Sequence, residues 1–204
     1  MRLSLLSSVV LFLLSSCATT TLTSTWYDAQ YSGKKALRDV LVIAVIKDNT
    51  GRRLYEDGFV KKLAESGING IQSYTLEDSD IDPTRVAVEK AIADAGAHFV
   101  LITRHLGTDT KQHYRPPEPV SVFADPLYSR YYRYYPLAYR EVYYTPGYSY
   151  SVTTVSIEAN LYDAKTERII WSAQSTSVDP KITQNYIEDL INVFSMDLRE
   201  KGLL

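Results

Sequence analysis

Val40-Leu41-Val42-Ile43-Ala44-Val45-Ile46 is a continuous apolar run dominated by β-branched residues, and it reads as a strand buried on both faces of a sheet. The polar turn Lys47-Asp48-Asn49-Thr50-Gly51 follows. Arg52 to Ser66 then carries Leu54, Phe59, Val60 and Leu63 at helical spacing, ahead of Gly67 as a left-handed stop. Gly70 to Tyr74 predicts a short second strand. Asp82-Pro83 predicts the opening of a second helix, with Asp as cap and Pro at the first helical position. Val86, Ala87, Ala91 and Ile92 would line its inner face, and Gly96 would stop it. Ala97 to Thr103 makes a third strand. Three strands alternating with two helices predict an α/β fold built on a parallel βαβαβ sheet with right-handed crossovers.

The pattern changes further on. Val155, Ile157, Ala159 and Leu161 alternate with Ser156, Glu158, Asn160 and Tyr162, which predicts a strand buried on one face. Val152 has the wrong parity for that face. Either a bulge lies near Thr153-Thr154 or the strand crosses there into another environment. Ile169, Trp171 and Ala173 repeat the alternation after Asp163-Ala164-Lys165-Thr166-Glu167, so an antiparallel hairpin extends the sheet. Asp179-Pro180 repeats the capping device of Asp82-Pro83. Ile182, Tyr186, Leu190, Phe194 and Leu198, at four-residue steps, predict a C-terminal helix that closes one face.

Residues 108–148 read as a long insertion. Six of the eight prolines fall there, and Tyr114 to Tyr150 holds eleven of the seventeen tyrosines. Loops beyond about 15 residues are usually functional or disordered, and disordered segments are poor in aromatics. A tyrosine-rich stretch with a small excess of basic residues carries enough apolar area to bind something. Tyr and Arg are enriched at binding hot spots, and Tyr also settles at membrane–water boundaries. Tyr128, Tyr131, Tyr132, Arg133, Tyr134, Tyr135, Tyr139, Tyr143 and Tyr144 are therefore the candidate partner-binding residues. The partner would be an envelope protein, a glycan or a lipid headgroup layer. The competing reading folds the same tyrosines back over the domain's own sheet as a lid.

At the other end, Arg2 precedes an apolar run from Leu3 to Leu14 and small residues before Cys17, the single cysteine. This is the build of a secretory signal. As a helix the run would rise about 18 Å, short of the roughly 30 Å of a hydrocarbon core. Leu14-Ser15-Ser16-Cys17 resembles the lipobox of bacterial lipoproteins. The resemblance implies that residues 1–16 are a signal peptide and that Cys17 carries acyl chains such as palmitate. Residues 17–25 would then be a lipidated polar tether, and 26–204 one domain. Two or more chains hold a protein on a bilayer durably. Ala18 is not aspartate, which within the same resemblance points to the outer membrane with the domain in the periplasm. The plainer alternative is an ordinary signal peptide with a cysteine near its cut.

Together with Val155-Ser-Ile-Glu-Ala-Asn-Leu-Tyr-Asp-Ala-Lys-Thr-Glu167 and Ile169-Ile-Trp-Ser-Ala173, these features resemble the outer-membrane lipoproteins grouped as domain of unknown function 4136. The layout is also similar to the curli-secretion lipoprotein and to the N-terminal domain of TolB. Glu167 stands where that group usually has glycine, at a turn position expected to be left-handed. The resemblance brings no catalytic residues with it.

Composition excludes little else. A net charge of −2 does not suit a nucleic-acid binder, and apart from Cys17 no cysteine is present for a disulfide. Asp48-Asn49-Thr50-Gly51-Arg52-Arg53 sits where doubly wound sheets bind phosphate, yet one glycine is not a glycine-rich loop, and a capped helix with solvated arginines is the simpler account. His98, His105 and His113 with Asp109 lack metal-ligand spacing. Glu158 and Asp163 could be drawn as a glycosidase pair, but they read more simply as a solvated acid and a turn former. No cofactor, metal or catalytic residue is expected, and the chain reads as a non-enzymatic interaction or assembly module.

Overall fold

The computed structural model describes residues 20–31, 37–76, 84–119, 131–135 and 144–204. In chain order the elements are β1 (Thr20–Tyr27), β2 (Val40–Val45), α1 (Asn49–Glu65), β3 (Gly70–Gln72), α2 (Arg85–Asp94), β4 (Phe99–Arg115), β5 (Glu118–Pro119), α3 (Tyr131–Tyr134), β6 (Tyr144–Thr145), β7 (Tyr148–Asp163), β8 (Ile169–Val178) and α4 (Gln184–Glu200). A six-stranded sheet runs β1-β8-β7-β4-β2-β3. β2 pairs in parallel with β3 and with β4, and the other neighbours are antiparallel.

The apolar run of β2 explains the layering. Val40, Val42 and Ala44 face a core completed by Tyr55, Phe59 and Leu63 of α1 and by Leu190, Phe194 and Leu198 of α4. Leu41 and Ile43 face the other way, onto Ala91 of α2. The chain steps outward from β2 to β3 over one face and returns to β4 over the opposite one, so β2 is covered on both sides. Trp171 and Phe194, both fully buried, meet edge to face at 5.9 Å in the larger core. Gly58 lets the two helices of that face close up, because a Cβ there would lie 2.6 Å from Ile191 Cδ1. Gly67, at φ +74°, ends α1 as expected.

Several boundaries differ from the sequence reading. The expected polar tether, 17–25, overlaps β1: Thr20 onward is an edge strand on β8. Only one β1 side chain, Thr20, is buried, so an apolar pattern could not announce it. α2 is capped by Thr84 and α4 by Thr183, whose hydroxyls accept from the amides of Ala87 and Tyr186. Pro180 therefore lies well before the last helix. Asp179 does a different job, at φ +45°: its carboxylate accepts from the Thr153 amide at 2.6 Å and fastens the end of β8 to β7. Val86 and Ile182, expected inward, are 75% and 78% exposed because both precede the packed turns of their helices.

The expected insertion also begins later than residue 108. β4 and β7 stay paired out to Arg115 and Tyr148, and Glu118–Pro119 pairs beyond them with Tyr144–Thr145. The irregularity lies in β4, between His105 and Gly107, and not near Thr153-Thr154. β7 itself runs on while its neighbour β8 stops at Val178, opposite Thr154. β2 stops at Val45, opposite Arg104. From Thr110 outward the sheet is thus only two strands wide. Among the described residues no helix is long and apolar enough to cross a membrane.

Candidate interaction surface

The two-stranded ribbon formed by residues 110–115 and 148–153 gathers exposed aromatic side chains. Period-two geometry puts residues i and i+2 on one face, and cross-strand partners share that face. Lys111, His113 and Arg115 therefore stand beside Val152, Tyr150 and Tyr148. The His113 and Tyr150 rings stack with centroids 5.4 Å apart, and Tyr150 lies 6.0 Å from Tyr148. Arg115 reaches Glu118 at 3.3 Å, a hydrogen bond that with Tyr148 holds the guanidinium firmly protonated. Lys111 lies 3.5 Å from Asp109. Both cations are matched by acids, so the ribbon face is aromatic and close to neutral.

Tyr114, Tyr131, Tyr132, Tyr135, Tyr144, Tyr148 and Tyr150 are between 47% and 79% exposed, and none joins either core. The lid reading fails for these seven. Of the candidates, Tyr131 and Tyr132, 4.1 Å apart in the short α3, and Tyr135 and Tyr144 are exposed. Arg133 and Tyr134 belong to the same helical turn. Tyr128, Tyr139, Tyr143 and Cys17 lie outside the described residues. The expectation missed His113, Arg115, Tyr148 and Tyr150 as members of one face, with Tyr114 on the other. Their signal is the alternation Tyr148-Ser149-Tyr150-Ser151, which marks a strand with one aromatic face.

Other candidate chemistry is taken up by the fold. At the carboxyl end of β2, Asp48 Oδ2 accepts the Gly51 amide at 2.7 Å, and Arg53 lies over the Tyr74 ring. Glu56, fully buried, accepts from Arg52, Ser73 and the amides of Ala44 and Tyr74. The groups that could have held an anion already hold one another. Glu158 pairs with Arg104 at 2.7 Å, and this hydrogen bond, strengthened by Gln174, holds its carboxyl below the usual range. Asp163 Oδ1 accepts from the Lys165 and Thr166 amides and the Thr166 hydroxyl, while Tyr31 donates to Oδ2. A half-open cleft of about 710 Å³ lies at this end of the sheet, lined by Arg38, His98, Asp163 and Lys165 among others. His98 faces Asp39 at 3.1 Å, His105 bonds to Thr108, and among the described residues no group of acids and histidines is placed to hold a metal.

No family model matches this chain, and no curated protein does. Among solved structures it is similar to the PelC dodecamer from Paraburkholderia phytofirmans, at 14% identity and a TM-score of 0.43, covering 86% of this chain and 95% of that one. It is also similar to lipoprotein GNA1162 from Neisseria meningitidis, at 18% identity and a TM-score of 0.42, covering 81% and 99% respectively. Identities and TM-scores this low carry no role across to this chain.

Proposed function

We propose that this chain is a lipid-anchored protein of the bacterial envelope, held at the outer membrane through acylated Cys17, and that it works as a non-enzymatic interaction module. The observation that carries the reading is the projecting β4–β7 ribbon, whose aromatic side chains contribute to neither core. Exposing that much tyrosine has no folding benefit. In the cleft at the opposite end, the buried carboxylate of Asp163 accepts from its own turn and from Tyr31.

The test is a photo-crosslinking residue placed at Tyr132 or Tyr148 in intact cells, with metabolic palmitate labelling in parallel. Crosslinks to an envelope component from both positions, on protein that loses its label in Cys17→Ala, are expected. A folded, acylated protein that crosslinks to nothing along the ribbon would overturn the reading.

A further inference from the structure

We propose that the β4–β7 ribbon is a second membrane contact, its tyrosine face lying in the headgroup layer of the bilayer that holds Cys17. The proposal rests on the reading that Cys17 is acylated, and it follows from one row of residues across the sheet. Thr20 pairs with Ser177, Ser177 with Val155, and Val155 with Thr108. β1 is antiparallel to β8, β8 to β7, and β7 to β4. The amino-terminal end of β1 therefore lies at the same end of the sheet as the ribbon.

Lengths then decide the arrangement. Cys17 stands three residues before Thr20, a reach of at most about 11 Å. The ribbon continues seven residues past Thr108 to Arg115, about 24 Å at roughly 3.4 Å per residue. A tether half that length cannot lift the domain clear of the surface. With its strands upright on the bilayer the ribbon would meet it before the tether is taut, and laying the ribbon over into the interface removes that conflict. Its composition suits that place. Tyrosine, with an apolar ring and a hydroxyl that stays wet, is a residue of membrane boundaries. Tyr148, Tyr150 and His113 make a continuous ring surface, with Tyr114 on the other side of the ribbon and Tyr144 just beyond it. Because Lys111 and Arg115 are matched by Asp109 and Glu118, aromatic partition and not net charge supplies the attraction. The contact is accordingly insensitive to salt.

The experiment uses the full acylated protein in vesicles of phosphatidylethanolamine and phosphatidylglycerol, its acyl chains verified by intact mass. Nitroxide is attached through Val152→Cys in one preparation and Lys165→Cys in another. Val152 stands on the tyrosine face of the ribbon, and Lys165 is exposed at the far end. The label at 152 is expected to be relaxed by oxygen and shielded from a nickel chelate, in low and high salt alike, with the reverse at 165. Adding Tyr148→Ser and Tyr150→Ser should return the first label to water while thermal melting holds. Equal nickel access at both sites on protein of acylated mass would overturn the contact and leave the anchor standing. Shielding at 152 in native envelopes but not in vesicles would mark a protein partner and overturn it too. A mass without acyl chains would remove the anchoring reading, and this proposal with it.

Discussion

Trp171 of β8 donates its indole Nε1–H to Asp197 Oδ2 at 2.6 Å, and Thr25 of β1 donates its hydroxyl to the same oxygen at 2.6 Å. One carboxylate of α4, 4% exposed, thus fastens the first strand to the last helix through the core tryptophan. Lys201 lies 3.8 Å from the other oxygen and over the Tyr27 ring. β1 has little apolar burial of its own, so this carboxylate is its main side-chain hold.

Asp197→Ala should therefore destabilise the domain by about 2–4 kcal/mol, since the buried indole loses its acceptor and β1 its tie. Urea unfolding followed by tryptophan fluorescence checks it. A loss under about 1 kcal/mol would mean that backbone pairing alone holds β1.

Glu158 gives a signed pH dependence. The hydrogen bond from Arg104 lowers its carboxyl in the folded state, so its stabilising contribution is complete above the unfolded value near pH 4.3. It is lost as pH falls through the depressed folded value. Glu158→Gln should flatten the acid limb of a urea-midpoint profile, and an unchanged limb would count against the pairing.

Glu167 occupies the left-handed region at φ +56° in the β7–β8 turn. A non-glycine residue there costs about 1–2 kcal/mol. Glu167→Gly relieves this cost and forfeits only the exposed contact to Arg85. A net gain of about 0.5–1 kcal/mol is expected, raising Tm by roughly 1–4 °C.

Among the described residues, deletion of 128–144 removes nothing from either core. Thermal unfolding should shift by no more than about 2 °C, while crosslinking from the remaining ribbon falls. A collapse of Tm would restore the lid reading for that segment.

The buried strand Val40–Val45, the stop at Gly67 and the Trp171 hairpin were legible because burial on one or two faces writes a period into the sequence. β1 was not, because an edge strand of threonines and serines looks like a spacer. Its hold is in partners more than a hundred residues away, Ser177 and Asp197. The ribbon hid for a related reason. Both its faces are exposed, so no alternation of apolar with polar residues marks where pairing continues from Thr108 to Arg115. Local cap chemistry misled as well. Asp-Pro pairs are plausible helix openers, yet Thr84 and Thr183 sit one or more residues closer to the first packed turn and take the role.

The direction of β1 has a mechanical meaning. Load applied at Thr20 along the strand's own axis would be borne by its seven aligned positions against β8 together, and they would not open one at a time. Were the protein anchored through Cys17 as proposed, a pull in the plane of the bilayer would load these two neighbouring strands along the line in which they are hardest to part.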